Sequence, residues 1–339
     1  MKILILRIGA MGDVLHALPA VTALHKARPD WQIDWVVDPR WSALLVDGEG
    51  HGPAVGRVHL ADTKLWSKAA NALPTVRSIG KLRRELRGAQ YDLVVDMQGT
   101  LRSAVVGGFA RSKRFVGYAD PREPLAARLY RTVLTRLGTH VVDQGAALLG
   151  DATGVELVPS TVELPRQEWA EDWAEKEVVA RPMCVLGAGG GWGAKQWPAE
   201  RFGKLGRELK AKGFDVVVNV PRKDDEVGSK VVEASGGAVR MVVCNVAGLI
   251  ALMRRADLFI GGDSGPTHLA AALAVPLVGL YGPTNPKRNG PWGPGVKRVL
   301  RHESSVTSYK RVEEIDRGLA QIEVSEVLEA AMGVSSAKL

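Results

Sequence analysis

Residues 2–15 read Lys-Ile-Leu-Ile-Leu-Arg-Ile-Gly-Ala-Met-Gly-Asp-Val-Leu. A short apolar run, Ile3–Leu6, gives way to a glycine-containing loop. Val14, Leu15, Leu18, Val21 and Leu24 then recur at helical spacing. This order predicts a buried strand, a tight turn and a helix over about residues 13–27. The apolar run before Arg7 is too short for a signal-peptide core, so a first strand is the better reading. Pro19 is expected to kink the helix or end its hydrogen-bonded part.

The same alternation continues along the chain. Ile33–Val37 and Leu93–Asp96 read as strands, with a helix at about 74–88. A polar, proline-containing stretch from Pro159 to Arg166 reads as an interdomain crossing. Strands are then predicted at Met183–Leu186, Asp215–Val220, Leu258–Gly261 and Leu277–Tyr281, and helices near 198–212, 224–235, 246–255 and 266–274. Alternating strands and helices imply parallel α/β sheets, and 339 residues suit two such domains. The expected fold is therefore two Rossmann-like α/β domains facing each other across a cleft, at 1–162 and 163–318. Residues 319–339 are expected to form a helix and tail packing back on the N-terminal domain, with Val334–Leu339 as a loose end.

Composition narrows the class. Hydrophobic residues make up 46% and charged residues 24%, which is globular and excludes a disordered or fibrous chain. The 45 Lys and Arg exceed the 37 Asp and Glu by 8, predisposing the surface to anionic partners. Cys184 and Cys244 each lie in an apolar run without a Cys-x-x-Cys pattern, and read as buried thiols in a reducing compartment. The longest apolar stretch, Leu269–Tyr281, is shorter than a membrane span and contains Pro276. No transmembrane helix is expected, and the location is read as cytoplasmic.

Three strand-to-helix loops hold the chemistry. In the first, Gly9 and Gly12 permit close ligand approach, while Asp13 stands where a capping carboxylate would. Gly9-x-x-Gly12 is not the dinucleotide fingerprint, so a nicotinamide cofactor is not supported. A carboxylate where a phosphate would otherwise dock suits a base or hydroxyl acceptor instead. The second loop, Gly187 to Pro198, carries Gly189, Gly190 and Lys195 and can surround an anion with backbone N–H groups and one ammonium. The third, Gly261 to His268, offers Ser264 and Gly265 as donors at a helix start with Pro266 at its first position. Asp263 there would take hydrogen bonds from sugar hydroxyls, and His268 would face the same pocket. No Asp-x-Asp or histidine-rich metal set accompanies these loops. A phosphate-bearing sugar donor, a diphosphate leaving group held without a divalent ion or cofactor, and Asp13 as general base account for all three.

The segments Arg7–Ala20, Asp96–Gly99, Gly261–Leu273 and Leu280–Pro286 together closely resemble the ADP-heptose:lipopolysaccharide heptosyltransferases of glycosyltransferase family 9, in order over roughly residues 1–300. Arg122-Glu-Pro-Leu-Ala126, ahead of Tyr130, further resembles the heptosyltransferase I branch. That branch adds the first heptose to a 3-deoxy-manno-octulosonate (Kdo) residue of the inner core. The resemblance implies a GT-B fold and inverting, metal-independent transfer of heptose from ADP-heptose. It makes Asp13 the catalytic base, Lys195 the donor-phosphate lysine, and Asp263, Ser264, Gly265 and His268 the donor loop. It places the base-contacting segment near Cys244-Asn245, and leaves the ribose-binding acid among Asp224, Asp225 and Glu226. Lys64, Trp66 and Lys68 match part of an acceptor loop, and Arg122 another acceptor contact beside Gly12. The implied partners are ADP-heptose, Kdo-lipid A and the cytoplasmic face of the inner membrane, met peripherally by a monomer.

The loop before Lys195 is glycine-rich where relatives carry threonines, and the acceptor loop holds fewer basic residues than the family pattern. Two basic clusters, Lys81, Arg83, Arg84 and Arg87 on one helix and Arg111, Lys113 and Arg114 in a loop, suit an anionic membrane. A related transferase acting on another acceptor, of heptosyltransferase II type, is the alternative enzyme. A noncatalytic nucleotide- or nucleic-acid-binding protein is disfavoured: stacking motifs are missing, and Asp13 and Asp263 would repel phosphate.

Overall fold

A computed structural model describes residues 1–66 and 72–336. The chain divides into two units, Met1–Pro165 and Arg166–Leu339. The first holds strands β1 Lys2–Leu6, β2 Gln32–Val37, β3 Arg57–Leu60, β4 Leu93–Asp96, β5 Arg114–Tyr118 and β6 Thr132–Leu134. Its helices are α1 Met11–Ala27, α2 Thr63–Trp66, α3 Ala72–Ala89, α4 Leu101–Gly108 and α5 Val141–Thr153. The second unit holds β7 Met183–Gly187, β8 Asp215–Val220, β9 Val239–Val243, β10 Leu258–Gly262, β11 Leu277–Leu280 and β12 Lys297–Leu300. Its helices are α6 Glu168–Glu177, α7 Ala199–Ala211, α8 Glu226–Ala234, α9 Val246–Arg255, α10 Gly265–Ala272, α11 Pro286–Asn289, α12 Arg317–Gln321 and α13 Val324–Ser336.

Each unit is one six-stranded sheet, ordered β3-β2-β1-β4-β5-β6 and β12-β11-β10-β7-β8-β9. The pairs are parallel, with Ile3 registered between Ile33 and Leu93, and Val185 registered with both Phe259 and Val217. Read outward from its first strand, each sheet has the same doubly wound order, reversing between β1 and β4 and between β7 and β10. Helices cover both faces, so the central strands are apolar throughout: Ile3–Leu6, Leu93–Val95, Met183–Leu186 and Leu258–Ile260 are buried.

Two sequence expectations need correction. Pro19 does not end the first helix, because α1 runs through it to Ala27. A proline there removes one helical hydrogen bond, but Leu15, Leu18, Val21 and Leu24 are buried on a helix packed against α5, which offsets the loss. The Pro19 carbonyl accepts the Ser160 N–H at 3.1 Å, laying the start of the crossing segment along α1. The C-terminal helix belongs to the second unit. Val327, Ala331 and Val334 of α13 join Leu205, Leu209, Val278 and Leu280 in the core of the second unit, where α13 packs beside α7 and over β10 to β12. The Trp197 indole N–H donates to the Ile322 carbonyl at 3.0 Å and pins the segment leading into α13. Val334 is buried within α13, so the expected loose end is helical as far as Ser336. The remaining three residues lie outside the described ones.

Candidate functional site

In a doubly wound sheet the loops leaving the carboxyl ends of the strands diverge where the order reverses, and this opens a crevice. In the first unit those loops follow β1 and β4. Arg7 bridges them: its guanidinium pairs with the Asp13 carboxylate at 3.0 Å, donates to the Asp13 carbonyl at 3.2 Å and donates to the Met97 carbonyl. Gln98 completes the tie, its side-chain oxygen accepting the N–H groups of Ile8 and Gly9 at 3.1 and 3.3 Å. Asp13 is the third residue of α1 rather than its cap, and its carboxylate accepts the N–H of the capping Ala10 at 3.0 Å. The side chain stays about one-third exposed (32%). The guanidinium and the backbone N–H hold the carboxylate in one orientation at the mouth of the crevice.

The candidate acceptor residues lie on the same edge. Gly12 is half-buried next to Asp13, and Lys64 is exposed on α2, which follows β3. Arg122 is exposed on the loop after β5, where the Glu123 N–H donates to the Gly99 carbonyl and the Glu123 carboxylate accepts the Leu101 N–H, both at 2.9 Å. Strands spaced ~4.8 Å apart put the ends of β3 and β5 about 10 Å to either side of β1, so Asp13 stands between two cationic positions. Lys68 lies outside the described residues. Beneath the β4 loop, Asp96 is fully buried. It accepts from Ser103 at 2.8 Å, Tyr130 at 2.9 Å, and the N–H groups of Gln98 and Gly99 at 2.8 and 3.0 Å. Burial pushes its carboxyl above the usual range although these donors oppose the shift.

In the second unit the reversing loops follow β7 and β10, and the structure brings their charges into contact. The Lys195 ammonium pairs with Asp263, and His268 Nε2 lies 3.2 Å from the other Asp263 oxygen. Burial works against ionisation of Asp263, but His268 and Lys195 outweigh it and hold the carboxyl well below its ordinary range. Both oxygens are thus engaged on a residue only 7% exposed. Asp263 thereby positions Lys195 and His268, and each of its oxygens keeps a lone pair for a further donor. The approach depends on Gly262, where a Cβ would lie 2.9 Å from the Lys195 carbonyl. The helix after β10 starts at Gly265 with Ser264 as its cap, so Pro266 is its second residue rather than its first. Gly189 is exposed with open space where a Cβ would stand, and Gly190 packs against Gln196.

Glu226 and Cys244 follow β8 and β9 on the same edge. Asp225 is taken as the cap of α8, accepting the Gly228 N–H at 2.9 Å, and Asp224 pairs with Arg222 at 3.5 Å. Glu226 is exposed at the first turn. Cys244 is half-buried rather than fully buried. It accepts from the Asn219 amide at 3.1 Å, and burial pushes its thiol up to about 12.

Arg7, Gln98 and Trp192 were not singled out by the sequence. Trp192 carries the Lys195 ammonium 4.2 Å from its ring centre, and its buried indole N–H has no partner among the described residues. An aromatic inside a glycine-rich loop was the available signal. Among the described residues no group of three or more His, Cys, Asp or Glu is placed to hold a metal, and no helix is long and apolar enough to cross a membrane.

Two doubly wound units, with a carboxylate at the switch point of the first and a glycine-rich cationic loop at that of the second, have the architecture of GT-B glycosyltransferases. The profile of glycosyltransferase family 9 (heptosyltransferase) matches residues 79–317, and the chain belongs to that family. It is 31% identical over 304 residues to lipopolysaccharide heptosyltransferase 1 of Pseudomonas aeruginosa, covering 86% of this chain and 82% of that one. Its fold matches E. coli heptosyltransferase WaaC with ADP at a TM-score of 0.77 and 25% identity, covering 97% of this chain and 98% of that one. E. coli ADP-heptose lps heptosyltransferase II gives a TM-score of 0.78 at 23% identity, covering 100% of this chain and 99% of that one.

Proposed function

We propose that this glycosyltransferase moves L-glycero-D-manno-heptose from ADP-heptose to a Kdo residue of the lipopolysaccharide inner core, with inversion and without a metal ion. The observation that carries the reading is the Asp13 carboxylate, fixed by Arg7 and the Ala10 N–H yet open on one side, at the switch point of the first unit. In the proposed step the acceptor hydroxyl gives its proton to Asp13 while its oxygen bonds to the anomeric carbon. The bond from that carbon to the diphosphate oxygen breaks, and its electron pair leaves with ADP. One displacement inverts the centre, so no glycosyl-enzyme nucleophile is required.

The second unit supplies the donor side. The Lys195 ammonium has three donors and commits one to Asp263, leaving two for the departing phosphates beside the N–H groups of Ser264, Gly265 and the Gly189–Gly190 loop. From the end of β10 to the end of β9 is three strand spacings, ~14 Å. That span suits a nucleoside diphosphate with its phosphates at Lys195 and its nucleoside between Glu226 and Cys244. Lys64, Lys68 and Arg122 are assigned to the carboxylates and phosphates of Kdo-lipid A. The enzyme acts as a monomer held peripherally at the cytoplasmic face of the inner membrane, with no nucleic-acid partner.

The test is transfer from ADP-heptose to Kdo₂-lipid A and, separately, to a heptose-bearing core, with linkage analysis of the product. Asp13→Ala should lower turnover on Kdo₂-lipid A by about 10²–10⁴ while ADP affinity stays nearly intact. Near-normal turnover of that variant removes Asp13 as the base. Preference for the heptose-bearing core moves the chain to the later-heptose reading.

A further inference from the structure

The amino ends of β5 and β6 lie at the opposite edge of the first sheet from Asp13. A cavity of about 700 Å³ opens there, lined by Gly108, Arg111, Phe115, Arg128, Leu129 and Arg131 among others. The three arginines are exposed, and among the described residues none pairs with a carboxylate. Their surroundings are cationic as well. Burial, and then the like charges of Arg111 and Arg83, press the Arg87 guanidinium on α3 below its ordinary value. Nothing in the proposed transfer uses these residues, yet uncompensated guanidinium groups around a concavity favour an anion that relieves their repulsion.

Apolar side chains flank the same opening. Leu129 is 43% exposed at the cavity wall and Leu125 is 54% exposed. Both belong to the 3₁₀ turn Pro124–Leu129, where residues three apart eclipse, so Leu125 and Arg128 share a face. The turn packs against α4, on which Leu101, Val105 and Gly108 form one exposed stripe leading to the cavity. The buried sides of both elements are spent elsewhere, with Ala104, Val106, Ala126 and Tyr130 in the core. Exposed aliphatic residues interleaved with unpaired arginines match the interfacial zone of a bilayer, where side chains enter the acyl boundary and guanidinium groups meet lipid phosphates. A nucleic acid fits less well, because the exposed members are Leu and Val and offer no ring for base stacking.

We infer that the face formed by α4, the Pro124–Leu129 turn and the Arg111–Arg128–Arg131 cavity docks the protein on an anionic phospholipid bilayer. This rests on the reading that the acceptor is a membrane glycolipid, which it extends by naming the surface that meets the membrane.

The full-length protein is to be sedimented with sucrose-loaded vesicles of phosphatidylcholine alone and of phosphatidylcholine with about 30 mol % phosphatidylglycerol. Wild type should pellet with the anionic vesicles only. The triple variant Arg111→Glu, Arg128→Glu, Arg131→Glu should bind them at least about 20-fold more weakly. Leu125→Ser with Leu129→Ser should weaken binding several-fold while leaving the charges intact, and circular dichroism should show both variants folded. Transfer to detergent-dispersed acceptor should be unchanged in both. Equal binding to neutral vesicles, no binding by wild type, or retention by both folded variants overturns the assignment. Loss of vesicle binding in the variants alongside an inactive wild type leaves the docking face standing and removes the transfer reading instead.

Discussion

Asp263→Asn keeps the shape of the side chain and removes its charge. In the folded protein that charge is nearly enclosed and faces two partners, with Lys195 12% exposed. Removing one member of a buried ion pair costs about 3–5 kcal/mol, chiefly because the other charge is left desolvated and unpaired. The residual access of Lys195 to water, and the Trp192 ring beneath its ammonium, moderate this to about 2–3 kcal/mol. At about 2–4 °C per kcal/mol for a domain of this size, the calorimetric transition of the second unit should fall by about 4–12 °C. Adding Lys195→Met should recover more than half of the loss, because the orphaned ammonium is then gone. The pH arm follows from sign. A carboxyl held below its ordinary range binds fewer protons folded than unfolded around pH 4, so its stabilisation is complete above that range and is lost as pH falls through it. The gap between wild type and variant should therefore be flat from neutral pH to about pH 5 and close below about pH 4. A variant within about 0.5 kcal/mol of wild type at neutral pH would refute the view that Asp263 anchors Lys195.

Tyr130→Phe withdraws one of the donors from buried Asp96 and should cost about 1–2 kcal/mol in urea unfolding; no change would mean that the remaining donors suffice. Val327→Ala opens a cavity between α13 and the second sheet and should cost about 2 kcal/mol in that unit's transition, whereas a neutral result would unseat α13 from that core. Native Cys184 and Cys244 should alkylate at pH 8 at least about a hundredfold more slowly than in denaturant, since burial raises both thiols; rapid labelling of Cys244 would contradict its packing.

The central strands were legible because a strand covered on both faces must be apolar along its length. Ile3–Leu6 and Leu258–Gly261 declare themselves without any neighbour. Edge strands did not: Arg57-Val-His-Leu and Lys297-Arg-Val-Leu are half-polar runs that become strands only because β2 and β11 offer them a hydrogen-bonding edge. Helix limits came within about two residues where capping is local, as at Asn245 and Asp225.

For the site, loop chemistry followed strand chemistry, so the glycine loops and Asp13, Lys195 and Asp263 could be named from residue types at strand ends. What those groups do to one another could not. Lys195 and Asp263 are 68 positions apart and meet only because β7 and β10 are neighbours, which gives Asp263 a lysine counter-ion that residue types alone did not assign. Arg7 and Gln98 became visible only once β1 and β4 lay side by side, and the apolar face of α13 did not say which sheet it would cover. The sequence by itself determined the buried strands and the chemical inventory of the loops, because local patterns specify local structure. Tertiary structure decided the pairings, because the free energy of a buried charge is set by whichever distant group the fold places beside it.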